Sequence, residues 1–171
     1  MLKMNPMIKK LVDQNFMTEE QGKYVEEAIN RKESLIVSGH RGWGTRPLIA
    51  TLMAVAKASF KTIQVKGFED LENNEVDYLL IPGIKNIDFE ELVKKAMAIP
   101  NISLITIKDP EHPYSIFKLL RDVFKETNAS SKVYHILECA KVNDEPVLSK
   151  ITKVTMDEKG KLIKKDLKRE F

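Results

Sequence analysis

The stretch Ser34-Leu35-Ile36-Val37-Ser38-Gly39-His40-Arg41-Gly42-Trp43-Gly44-Thr45-Arg46-Pro47-Leu48 decides the fold. Its apolar, β-branched start at residues 35–37 has strand character, and it enters a loop with glycines at positions 39, 42 and 44. Pro47 then opens a helix-compatible segment. A strand that delivers the chain to a glycine-rich turn, which in turn feeds the positive end of a helix, is the layout of a phosphate-binding loop. There, free backbone N–H groups face an anion. The full motif requires Gly-x-x-x-x-Gly-Lys-Ser/Thr, whereas here Gly39 and Gly44 are followed by Thr45 and Arg46. The frame is present and its lysine is missing.

Working outward, Asn5-Pro6 is a helix opening, with Met7, Leu11 and Val12 at helical spacing up to Phe16. Thr18 and Gln21 form a capping-box pattern for a second helix, with Tyr24, Val25, Ala28 and Ile29 on one face and an end at Lys32. After the loop, Leu48, Ile49, Leu52, Met53 and Ala56 continue with helical period towards Ser59. Strands are predicted over 62–65 and 78–81, the latter wholly apolar and stopped by Pro82-Gly83. Asp88 caps a further helix with Glu91 at the box position. A strand follows over 102–107, and Pro113 is expected to start a helix carrying Ile116, Leu119, Leu120 and Val123. From residue 132 the period changes to that of strands, over 133–140, 147–156 and 161–167, with turns at Asn143-Asp144 and over 157–160. Alternating strands and helices that run into a meander predict a mainly parallel sheet extended by antiparallel strands.

At 171 residues the chain is sized for one domain with a sizeable core. Its 43% apolar and 31% charged residues exclude a disordered chain. A net charge of +3 is too mild to signal nucleic acid. The lone cysteine, Cys139, excludes an internal disulfide and fits a reducing compartment. Residues 1–10 hold no sustained apolar run of signal-peptide length, and no run approaches a membrane span. The expected location is cytoplasmic, compatible with docking on a membrane-embedded machine.

In this order the parts resemble the RecA-like motor domain of type II/type IV secretion-system ATPases, a family that includes pilus and conjugation motors. The similarity runs through Met17-Thr18-Glu19-Glu20-Gln21, Leu35-Ile36-Val37-Ser38-Gly39 and the loop. It continues through Asp77-Tyr78-Leu79-Leu80-Ile81 at the Walker B strand, Ala96-Met97-Ala98, Ser103-Leu104-Ile105-Thr106-Ile107 and the closing Ile151-Thr152-Lys153-Val154. The resemblance implies an α/β fold: a RecA-like P-loop three-layer sandwich with C-terminal antiparallel strands. It divides the chain into a helical preface over 1–32, packed on the same domain, and the RecA-like domain over 33–171. The family's additional N-terminal domain has no room here, so its contribution is expected from another polypeptide.

Carried over residue by residue, the family's catalytic groups are replaced. The phosphate-loop lysine falls on Thr45, and the Mg²⁺-binding hydroxyl falls on Arg46. The acidic box falls near Lys66-Gly67, with carboxylates displaced to Glu69 and Asp70. The Walker B glutamate falls on Gly83. One histidine falls on Lys108 and another near Pro100. The resemblance therefore implies a degenerate site with no catalytic residue retained. Gly39, His40, Arg41, Gly42, Trp43, Gly44, Thr45 and Arg46 form the candidate nucleotide- or anion-binding loop.

Arg41 and Arg46 can restore positive potential, because a guanidinium grips phosphate through paired hydrogen bonds; the alternative is that they face solvent or an acid. Trp43, where the family has a small residue, is expected to contact a partner or fill the empty phosphate seat. Glu69 and Asp70 read as turn residues, Asp88 and Glu91 as helix caps, and His135 as a half-buried strand histidine. His40, His112 and His135 have no metal-site spacing. The lysines of the C-terminal meander read as protection of edge strands against aggregation.

The function expected is that of a non-hydrolysing secretion-motor domain acting as a regulatory or assembly partner of a secretion, pilus or conjugation apparatus. No cofactor is expected. Its partners would be machinery proteins, including a related active ATPase, with homo-oligomerisation left open. The alternative is an active ATPase that binds ATP and Mg²⁺. In it, Arg46 or Arg41 replaces the lysine, the Thr45 hydroxyl reaches Mg²⁺, and Glu69 or Asp70 activates water. A third class, an anion- or nucleic-acid-binding module, predicts binding that weakens steeply with salt.

Overall fold

The computed structural model describes residues 3–72 and 75–170. The ends of the 1–32 and 33–171 segments, and Met1 and Leu2 of the leader reading, lie outside the described residues. Helices α1 (Pro6–Asp13) and α2 (Glu19–Asn30) precede strand β1 (Ser34–Ser38). Then come α3 (Thr45–Ser59), β2 (Thr62–Gln64), β3 (Tyr78–Ile81), α4 (Phe89–Ala98), β4 (Ser103–Lys108) and α5 (Ile116–Thr127). Strands β5 (Tyr134–Val142), β6 (Glu145–Met156) and β7 (Leu162–Lys168) close the chain.

All seven strands form one sheet in the order β2-β3-β4-β1-β5-β6-β7. The first five in that order are parallel, and β6 and β7 add antiparallel pairs, the mixed arrangement the sequence predicts. Alternation along each strand divides the core. In β1, Ile36 points to the face covered by α4 and α5, whereas Leu35 and Val37 point to the face covered by α1, α2 and α3. The two N-terminal helices thus share a core with the strand and helix that flank the loop. Strands β3 and β4 are apolar because both faces are covered, which explains why they read as continuous hydrophobic runs.

Caps set most helix boundaries. Asn5 accepts from the Met7 N–H, and Thr18 and Gln21 close a full capping box. Two expected boundaries move. Helix α5 begins at Ile116 rather than Pro113: the Ser115 hydroxyl caps it by accepting from the Lys118 N–H. The preceding residues instead form a turn closed by Asp109 and His112, anchored by the Tyr114 hydroxyl donating to the Ile107 carbonyl at 2.9 Å. Helix α3 begins at Thr45, two residues before Pro47, whose missing N–H falls among the first four that have no partner within a helix. The hairpin joining β5 and β6 turns on Asn143 and Asp144, both with positive φ, as a two-residue turn of matching twist requires.

Candidate functional site

The loop leaves the carboxyl end of β1, the strand at which the sheet order reverses. Its onward connection through α3 runs to β2 at the far edge, while β5 lies on the other side. Open α/β sheets form their binding crevices at such switch points. Two glycines are required by close approach. At Gly44 (φ +87°), the residue that caps α3, a Cβ would overlap the Phe16 ring. At Gly39 (φ +154°), a Cβ would lie 3.0 Å from both the Cys139 Cβ and the Thr45 Cγ2. Gly42 (φ +86°) stands in open space.

Trp43 is half-buried against the α1–α3 core, its ring tilted 58° to His40 with centroids 4.4 Å apart. It therefore folds back onto its own loop without filling the crevice. A cleft of about 390 Å³ remains between it and Ser38, Lys108, Pro113 and Glu138. Thr45 is buried with its methyl facing Gly39. Thr45, on which the resemblance places the lysine, is thus a short side chain turned into the loop. Arg41 and Arg46 are exposed and border a smaller hollow with Asp109 and Glu111. Neither arginine has an ion-pair partner among the described residues.

The position at which the resemblance places a glutamate is physically covered. A Cβ on Gly83 would lie 2.7 Å from the His112 Cε1. That imidazole is nearly buried against Phe89 and held by Asp109, whose Oδ1 lies 2.8 Å from Nδ1 and accepts the His112 backbone N–H at 2.8 Å. Sequence reasoning missed this pairing; the Asp-x-x-His spacing after a strand was the available signal. Lys108 ends β4 beside the cleft, and Pro100 lies at the opposite, amino end of that strand. Asp70 accepts from the backbone N–H groups of Lys66 (2.7 Å) and Gly67 (3.2 Å), a turn role. Strand β2, which leads into that turn, lies three strands from β1, roughly 14 Å away at the usual strand spacing.

His135 is fully buried, not half-buried as its alternation suggested. Its Nδ1 lies 2.9 Å from the Tyr24 hydroxyl and its Nε2 lies 2.8 Å from Glu33, which also pairs with Arg31. Burial pushes its pKa down, against the pull of Glu33. This network is at the amino end of the sheet and does not touch the loop. Burial raises the Cys139 thiol to about 12, so it is inert packing beneath Gly39. Among the described residues no group of three or more His, Cys, Asp or Glu is placed to share a metal ion.

No family model matches the chain, and no curated protein matches it. Among solved structures it is similar to the VirB11 ATPase from the Brucella suis type IV secretion system, in complex with sulphate. The identity is 13% and the TM-score 0.42, over 80% of this chain and 53% of that one. The chain thus spans about half the length of that protein.

Proposed function

We propose that the chain is a degenerate secretion-motor ATPase domain of RecA-like P-loop descent, with residues 1–32 packed as a preface on the domain formed by 33–171. It does not hydrolyse ATP and acts as a regulatory or assembly partner of a type II/type IV secretion, pilus or conjugation apparatus. The observation that carries this reading is the coverage of Gly83 by the Asp109–His112 pair. Phosphoryl transfer is catalysed by positioned cations and an oriented water. Here the place for a water-orienting carboxylate is occupied, and the lysine position holds a buried threonine. Loss of the lysine removes a charge-assisted contact of about 1.5–3 kcal/mol. The partners proposed are machinery proteins, a related active ATPase among them. Contact would be from a peripheral position, since no helix among the described residues is long and apolar enough to cross a membrane.

A second reading, an active ATPase using Arg46 or Arg41, draws on two exposed guanidiniums without an ion-pair partner among the described residues, Arg41 in the loop and Arg46 in the first turn of α3. Trp43 is the chain's single tryptophan and reports on the cleft directly. Titration with ATP is expected to give no saturable, Mg²⁺-dependent change in its fluorescence, and purified protein is expected to release no phosphate above a blank. Turnover that Arg46→Ala abolishes while the unfolding midpoint is unchanged would establish the second reading instead.

A further inference from the structure

A second concave surface lies on the sheet face that α5 leaves uncovered, a groove of about 780 Å³ that shares Ser38, Lys108 and Glu138 with the cleft beside the loop. Strand register makes it. Lys108 of β4 is paired with Ser38 of β1, Ser38 with Glu138 of β5, and Glu138 with Lys150 of β6, so one polar row crosses four adjacent strands. The next row continues from Thr152 of β6 to Asp166 of β7.

Within the groove the acids already have partners. Glu138 pairs with Lys150 at 3.0 Å, and Asp166 accepts from the Thr152 hydroxyl at 2.8 Å. The two ammonium groups at its ends have no acid partner among the described residues. Lys108 forms no ion pair, and Lys164 lies over the Phe117 ring, 3.7 Å from its centroid. Glu138 and Lys150 offset each other and Asp166 keeps its charge, so with three lysines against two carboxylates the groove is positive by one, its unpaired cations at the two ends. Lys164 differs from the other lysines of β7 in lining the groove, so edge protection does not account for it.

We propose that this groove binds an extended acidic peptide segment of a partner protein, with carboxylates towards both ends. Lys164 lies four strand spacings across the sheet from Lys108 and four residues along the strands from its row, a diagonal of roughly 23 Å, which an extended chain spans in about seven residues. A compact anion cannot bridge that distance. The proposal is independent of whether the loop binds nucleotide.

Fluorescence anisotropy with the full chain tests it, using labelled peptides of about eight residues and equal composition that carry glutamates at both ends or clustered at one end. Saturable binding of the two-ended peptide is expected, stronger than that of the clustered one and weakening between about 50 and 300 mM salt. The Lys108→Ala/Lys164→Ala pair is expected to bind roughly tenfold more weakly, and Lys108→Arg/Lys164→Arg to retain binding. Four outcomes would overturn the proposal: no saturable binding, equal binding by the alanine pair, displacement by inorganic phosphate at peptide concentrations, or tighter binding of a single-stranded oligonucleotide of the same charge.

Discussion

Gly44→Val is expected to lower the free energy of unfolding by about 2–5 kcal/mol, read from the shift of a urea midpoint at constant slope. Two costs add. The backbone at position 44 is left-handed, which costs an ordinary residue about 1–2 kcal/mol. A side chain there also drives into Phe16, and overpacking costs about 1–3 kcal/mol more. Phe16 has little room to retreat, because it is buried in the core shared by α1, α2 and α3. Gly42→Val isolates the first cost: its φ is nearly the same, but nothing stands within 4 Å of its Cβ. It should lose only the backbone share. Truncating Phe16 in the Gly44→Val background should recover part of the clash, a coupling that a double-mutant cycle reads directly. Equal losses at 42 and 44 would show that Phe16 does not constrain the loop. Because Gly44 is bound into the fold in this way, a substitution there reports on stability before nucleotide, and arginine variants are the sound test of the site.

This buttress also shows what a single sequence displays and what it hides. The strands at 35–37 and 78–81 were legible because burial on both faces demands unbroken apolar runs, and the capped helices because a cap is local chemistry. The approach of Phe16 to Gly44 joins residues far apart in sequence, and no periodicity encodes it. The start of α5 was misplaced because Pro113 suits a first helical turn, while the Ser115 cap and the Asp109–His112 turn decide the boundary. The row Lys108, Ser38, Glu138, Lys150 depends on register across four strands, and a one-residue slip in any of them would dissolve it. That Thr45 and Arg46, and no lysine, follow Gly44 is read directly from the sequence. The covering of Gly83 is not, because it arises where two loops meet.

Replacing His135 is expected to cost about 2–4 kcal/mol at neutral pH and to remove one step of the acid dependence of stability. His135 is 102 residues from Glu33 and 111 from Tyr24 in sequence, and it satisfies both from a fully buried position. The neutral tautomer with the proton on Nε2 fits all the contacts: Nε2–H donates to Glu33, and the Tyr24 hydroxyl donates to Nδ1. His135→Leu keeps the apolar packing but leaves a half-buried carboxylate and a phenol short of a partner each, and His135→Gln returns part of the hydrogen bonding. The charged groups around the ring are Glu33, Arg31 and Lys153. Burial outweighs the attraction of Glu33, so the pKa in the folded chain lies below the ordinary 6.5. As pH falls through 6.5 the unfolded chain takes the proton first, and stability declines from there down to the folded value. Glu33 acts in a separate, lower window. Burial raises its pKa, but the Arg31 and His135 contacts together bring it below 4.5, so its contribution holds above that pH and is lost as pH falls through the folded value. Thermal midpoints measured from pH 8 to about pH 2 should therefore fall in two stages for the native chain, the second below pH 4.5. In His135→Leu the upper stage should vanish, and a midpoint that still declined between pH 6.5 and the carboxylate range in that variant would place the sensitive group elsewhere.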